Sequence, residues 1–256
     1  MTALNTADNI YFGATRADKV YVGTNRVWLY TPPILKTAVV WIDATQDTAR
    51  ADGSAISSYT SHSTSAKALA AVATREPIFR ANVGGKPRIA FTADVLRLAS
   101  YQVPAPGMTF VMVSRKTATP SPYGEMIAYS GAEMRTQGGV FTEATGGGAF
   151  ARSTVSETNN IDYLHYVEWN NDVTHLIRIW INGLLTATSA VMAAMTRPVA
   201  NLNFGGRDAA DLWGDYLVSE AVVFDGYLSD ADRIAVTAYL LAKWSITPML
   251  LEKENS

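Results

Sequence analysis

Hydrophobic and polar positions in this chain group into short runs separated by turn residues, a pattern of strands far more than of helices. Residues 38–42, 87–91, 108–113, 164–169, 176–181 and 217–224 are apolar, β-branched or aromatic segments of strand length. In the fifth of these the period is two: Ile177, Ile179 and Ile181 share one face, and Arg178, Trp180 and Asn182 the other. Asn170-Asn171-Asp172 and Asn182-Gly183 supply hairpin turns between three of these strands. The segment 118–148, rich in Gly, Pro, Thr and Ser, reads as long loops, with room for a subunit contact or a receptor site. One helix stands out near the end. Ser229 is its N-cap, and Asp230 and Asp232 suit its positive end. Ile234, Ala238 and Leu241 make a stripe, with Thr237, Leu240 and Trp244 beside it, and this face should lie across one edge of the fold. Pro248 stops any long continuation. The fold class is all-β, a sandwich or jelly roll with one C-terminal helix.

The first 30 residues carry a repeat of period ten. Residues 9–18 align with 19–28, matching Ile10 with Val20, Tyr11 with Tyr21, Gly13 with Gly23 and Arg16 with Arg26. Each unit reads as a short strand, a Gly-centred turn and a return. Two such units cannot enclose a core, so the module is expected to dock on something else. Thr31-Pro32-Pro33 then restricts the backbone as a linker. The chain divides into an N-terminal module with its linker, 1–35, and a main domain, 36–256.

Composition narrows the chemistry. The 256 residues are 48% hydrophobic and 17% charged, an ordinary globular balance. With 21 basic and 23 acidic residues the net charge is −2, which predicts no nucleic-acid partner. There is no cysteine, so disulfides, thiolate metal sites and cysteine nucleophiles are excluded. The N-terminus has neither the basic region nor the apolar run of a secretory signal. No window supplies the roughly 20 apolar residues of a membrane-spanning helix, and no membrane partner is expected. The chain reads as a soluble protein made in the cytoplasm or carried out of it by something else.

Two resemblances add to this. Tyr11, Gly13, Lys19, Val20, Tyr21, Gly23, Val27 and Trp28 match a Y-x-G leader that begins many phage structural proteins, with Arg16-Ala17 where a larger apolar residue is common. The body resembles the concanavalin A-like, laminin-G-like jelly rolls of phage and bacteria. Trp41-Ile-Asp43 through Asp47, Asp52-Gly53-Ser54, Arg75-Glu76-Pro77, Gly85-Lys86-Pro87 and Ile89-Ala90-Phe91 occur in that family's order. Trp180-Ile181-Asn182-Gly183, Phe204-Gly205-Gly206-Arg207, Gly214 through Asp225, Leu228 through Arg233 and Tyr239 through Trp244 continue it, over about residues 38–247. Ser57 through His62 departs from the W-x-D-x-S-G-N-G stretch usual in the first loop.

The resemblance implies a lectin-like display domain, and the fold also hosts glucanases. A glucanase of this architecture resembles E-x-D-x-x-E on one strand, and that pattern is absent. Glu168 stands alone and Glu220 sits in a scaffold strand, so no catalytic residue and no enzyme activity are expected. No G-x-S-x-G, P-loop or H-E-x-x-H occurs. His165 and His175 face each other if Asn170-Asn171 is a tight turn, but no third ligand accompanies them, and they read, with His62, as structural. Asp208, Asp211 and Asp215 share a loop region whose oxygens suit calcium, with Asp208 and Asp211 as the candidates. No cofactor is expected. A pyranose wants an exposed aromatic face beside planar polar groups, which singles out Trp180 with Arg178 and Asn182; the competing assignment makes Trp180 cover for a second sheet face. Trp41 and Trp244 read as core. Together the two resemblances imply a non-enzymatic virion protein, in a head decoration, head fibre, tail fibre or tail tip. Tyr11, Gly13, Tyr21, Gly23 and Trp28 would be the anchor to other virion proteins. The jelly roll would meet host surface polysaccharide, and the chain would form a homo-oligomer. The alternative is a dedicated carbohydrate-binding adhesin, and behind it a glycan-cleaving enzyme.

Overall fold

The computed structural model describes residues 11–12, 15–16, 19–22, 25–29, 31–47, 49–103, 107–118, 123–130, 132–137, 141–170, 176–191, 193, 198–206 and 215–249, the first four spans as backbone alone. Both units of the N-terminal repeat are hairpins. β1 (Tyr11–Phe12) pairs with β2 (Thr15–Arg16), and β3 (Lys19–Val22) with β4 (Asn25–Leu29), each across a two-residue gap that starts at a glycine. Gly13 and Gly23 lie outside the described residues.

The main domain is a jelly-roll β-sandwich of two antiparallel sheets. The first sheet runs, in spatial order, β18 (Leu184–Thr188), β17 (Leu176–Ile181), β16 (Tyr163–Asn170), β11 (Gly107–Lys116), β20 (Asp215–Asp225), β9 (Lys86–Thr92) and β8 (Ile78–Val83). β5 (Val40–Asp43) also pairs with β20. The second sheet runs β15 (Ala149–Ser156), β14 (Phe141–Gly146), β13 (Ala132–Gln137), β12 (Tyr123–Tyr129), β19 (Ala200–Phe204), β10 (Leu96–Tyr101), β7 (Ala68–Ala71) and β6 (Ser58–Thr60). Period-two alternation assigns the faces. Phe110, Met112, Val167, Trp169, Ile177 and Ile179 of the first sheet meet Leu96, Ile127, Met134, Ala144, Leu202 and Phe204 of the second in the main core. The in-between residues Val111, Val113, Leu164, Tyr166, Trp180, Val222 and Phe224 point the other way and form a second core under the helix α1 (Asp230–Trp244).

All six segments predicted as strands lie in the first sheet. Its central strands are buried along nearly their whole length because both faces are covered. Residues 118–148 are a correction: they supply β12, β13 and β14, three strands of the second sheet rather than long loops. Asn182-Gly183 turns β17 into β18, with φ of +49° and +88°, as a type I′ turn requires.

Ser229 caps α1 as expected, its hydroxyl accepting from the Asp232 N–H at 3.1 Å. The helix lies on the outer face of the first sheet, not across an edge, and its buried stripe is Val236, Tyr239, Leu240, Leu241 and Trp244. Ile234 and Ala238 are exposed. The rotation follows from Lys243, whose ammonium reaches inward to Asp43 at 2.6 Å and Glu220 at 2.8 Å and so fixes which side of the helix faces the sheet.

Candidate functional site

The second sheet has no helix on its outer face among the described residues. Its strand register lines up one outward-facing residue from every strand: Ser58, Ala70, Arg97, Asn203, Ala128, Glu133, Thr145 and Phe150. Beside it a second row runs Arg135, Glu143, Arg152. The small residues Ala70 and Ala128 leave low ground between larger neighbours. The Arg97 Nε donates to Asn203 Oδ1 at 3.0 Å, which fixes both groups near the middle of the row.

At the β13–β15 end the charged side chains form a lattice. Arg135 donates to Glu133 Oε2 at 3.0 Å and to Glu143 Oε1 at 2.7 and 3.2 Å. Arg152 donates through Nε and Nη2 to Glu143 Oε2 at 3.2 and 3.1 Å. Thr145 Oγ1 adds a long contact to Glu133 Oε2, 3.5 Å. Glu143 thus sits between two guanidinium forks with its side chain 4% exposed, while the Arg152 side chain is 44% exposed. Two residues before Arg152 on the same strand face is Phe150, 61% exposed, and two residues after it is Thr154, also exposed. Successive outward residues on a strand are about 6.6 Å apart. An aromatic ring, a guanidinium and a hydroxyl therefore stand in line along β15, which is the arrangement a sugar ring with polar substituents can use.

The residues singled out from sequence sit elsewhere. Trp180 is 7% exposed in the second core, with Tyr166 edge-on at 5.1 Å and the Arg233 guanidinium over its ring at 4.9 Å. Its face is covered, so the assignment of Trp180 as a stacking platform is corrected. Asn182 is buried as a turn residue, its Oδ1 accepting from the Leu164 N–H at 2.8 Å. Arg178 is paired to Glu168 at 3.6 Å. Asp208, Asp211 and His175 lie outside the described residues, and among the described ones no group of three His, Cys, Asp or Glu could hold a metal ion. Tyr11, Tyr21 and Trp28 lie on the hairpin strands. His62 Nε2 is 3.0 Å from the Tyr59 hydroxyl. His165 is buried against Thr142, 2.9 Å from its Oγ1, and burial pushes its imidazole pKa down.

The family-like motif residues at the two ends of the chain converge. Trp41 and Trp244, both core as expected, donate their indole N–H groups to the two oxygens of Glu220 at 2.8 and 2.7 Å. Lys243 bridges Glu220 to Asp43. Burial pushes the Glu220 carboxyl up to about 7, Asp43 adding to the shift and Lys243 opposing it. Asp43 is 0% and Glu220 1% exposed, so this carboxylate pair has no access to a substrate and acts as a buried clamp. Concavities lined by described residues include a polar cleft of about 370 Å³ beside β10, where the Tyr101 hydroxyl donates to Asp225 near Lys67, and an apolar groove of about 500 Å³ along α1.

No family model and no curated protein matches the chain by sequence. Solved structures do match the fold. The binding domain of botulinum neurotoxin DC in complex with SialylT superposes with a TM-score of 0.54 at 12% identity, covering 80% of this chain and 52% of that one. The Trypanosoma rangeli sialidase in complex with the inhibitor DANA gives 0.52 at 13% identity over 95% of this chain and 37% of that one. Domain 4 of AbnA, a GH43 extracellular arabinanase from Geobacillus stearothermophilus, in complex with arabinotriose, gives 0.51 at 9% identity over 74% and 100%. The chain spans about half the length of the neurotoxin binding domain it matches. These likenesses establish the fold, a jelly-roll β-sandwich.

Proposed function

We infer that this chain is a non-catalytic glycan-recognition protein whose binding surface is the outer face of the second sheet at β13–β15. The observation that carries this is Phe150, a large aromatic ring 61% exposed beside a rigid arginine–glutamate lattice on a sheet face. Stacking supplies binding energy, and side chains already held in place lose little entropy when a ligand arrives. The structures with the same fold include domains in complex with SialylT and with arabinotriose, which is consistent with a sugar as ligand. Non-catalysis is supported by the state of the carboxylates: Arg135 bonds both Glu133 and Glu143, whereas a glycosidase keeps one carboxyl available as acid and one as nucleophile or base.

The test is a glycan array with the full chain and Phe150→Ala. Truncating the ring removes about 1–2 kcal/mol of stacking and burial, roughly a tenfold loss of affinity, with the thermal midpoint unchanged. Equal binding by the two proteins would move the site elsewhere.

In the same proposal the recognition domain belongs to a virion structural protein, at the head or the tail, with the hairpin repeat as its anchor to neighbouring virion proteins. Support comes from the leader's resemblance and from the hairpins that Tyr11, Tyr21 and Trp28 occupy. A homo-oligomer would multiply weak single-site affinity. Immunogold labelling of purified phage particles tests this part: label on head or tail supports it, and absence from every particle leaves a free carbohydrate-binding adhesin.

A further inference from the structure

We propose that the outer face of the second sheet selects a sugar acid, a uronate or sialate, whose carboxylate is received by Arg152 while its ring lies against Phe150. This rests on the glycan-binding reading above and narrows it to one ligand chemistry.

The balance of open acceptors and donors on this face sets the ligand chemistry. Neutral sugars bind largely by donating hydroxyl protons to carboxylates and amide oxygens, so a face built for them offers open acceptors. Here the acceptors at the Phe150 end are occupied. A carboxylate has about four lone-pair positions. Glu143 receives four N–H bonds, two from Arg135 on Oε1 and two from Arg152 on Oε2, at 2.7–3.2 Å. Its side chain is 4% exposed, so a ligand hydroxyl has neither a lone pair nor a path to it. Glu133 is 10% exposed and already bonded by Arg135 and Thr145.

Donors are what this end presents. A guanidinium has five N–H groups, and among the described residues the bonds of Arg152 are the two to Glu143 through Nε and Nη2. The remaining N–H groups belong to a side chain that is 44% exposed. Because Glu143 holds the fork by its Nε edge, the Nη1 side is directed away from the lattice with its orientation already set. A planar carboxylate suits such a fork better than a single hydroxyl does, since it accepts two parallel, charge-assisted bonds. Glu125, the acidic residue opposite Arg135 in register, stands on β12, three strands from β15 and so about 14 Å across the sheet. Phe150 and Thr154 flank Arg152 on the same face, offering a ring to the sugar's C–H surface and a hydroxyl to a further substituent.

The experiment uses the full chain on an array carrying neutral, uronate-bearing, sialate-bearing and sulfated glycans at physiological salt, followed by titration of the strongest binder. Wild type, Phe150→Ala, Arg152→Gln and Arg152→Lys are compared, each checked by circular dichroism to be folded at the assay temperature. The expected result is preference for carboxylate-bearing glycans. Arg152→Gln should lose at least tenfold in affinity for them and clearly less on their neutral counterparts, and Arg152→Lys should recover only part of the loss. Preference for neutral glycans that still depends on Phe150 would overturn the sugar-acid assignment and leave the glycan site standing. A preference for sulfated over carboxylated glycans would overturn it too. No glycan bound, or binding indifferent to Phe150, would remove both.

Discussion

Lys243 carries a positive charge to a place that water scarcely reaches, where Asp43 and Glu220 hold it and two tryptophan N–H groups complete the Glu220 shell. Replacing it by methionine keeps the stem and leaves two carboxylates buried without their counter-charge. Lys243→Met should cost about 3–5 kcal/mol, read as a shift of the urea midpoint, because an unpaired buried charge is the expensive case. A midpoint within error of wild type would mean that the clamp is dispensable. Gly205 makes a steric demand of comparable size. Its φ is +90°, and a Cβ there would stand 2.3 Å from Phe91 Cδ1 and 2.5 Å from the Asp94 carbonyl oxygen. Gly205→Ala should destabilise by about 3 kcal/mol through strain and overpacking, measured the same way. That contact gives the Phe204-Gly205-Gly206 segment a physical reason for its first glycine.

At the scale of elements, Asp162 ties the start of β16 to two other strands of the first sheet. Its carboxylate accepts from Arg88 of β9 at 2.7 and 2.8 Å and from Arg115 of β11 at 3.0 and 3.1 Å. Burial acts to raise its pKa, but the hydrogen bonds and charges of the two arginines outweigh it and hold the group below its ordinary 3.8. A carboxyl with a depressed folded-state pKa adds stability that is complete above its unfolded pKa and is lost as pH falls through the folded value. Wild type should therefore exceed Asp162→Asn in urea midpoint at pH 7, and the gap should narrow below about pH 4. A gap that stays constant to pH 2 would show that the pair contributes by shape alone. The two sheets also differ in how readable they are. Strands such as β11 and β16 are covered on both faces, so they appear as mostly apolar and aromatic stretches without a regular polar alternation. Among the described residues β12 to β15 pack only their inner face against the apolar core, the outward Glu133 and Glu143 being screened by arginine side chains, and outward positions that carry Glu, Arg and Thr among glycines imitate a loop. Helix α1 was legible through its Ser229 cap, but its rotation depends on Lys243 meeting Asp43, 200 residues away, together with Glu220.

Over the whole molecule, the same asymmetry separates structure from function. The sheet covered twice holds the fold together with two cores on one set of strands. The second sheet has no helix on its outer face among the described residues, and that face is where the ligand is proposed to bind. Trp180 looked like a binding residue because Arg178 and Asn182 flank it, yet that side of β17 lies beneath α1. Phe150 was passed over because alternation in a Gly- and Thr-rich stretch is a weak signal without the register that brings eight strands together. What was legible at this scale is the class of fold and the paired units of the leader. The site was not, since it exists only across strands.

The most direct measurement is a crystal structure of the full chain soaked with a carboxylate-bearing oligosaccharide selected on the array. Sugar density is expected on the outer face of the second sheet, with a ring within van der Waals contact of Phe150 and an oxyanion within hydrogen-bond distance of Arg152. Density instead in the polar cleft at Tyr101 and Asp225, or along the groove of α1, with the Phe150 face bare, would contradict it.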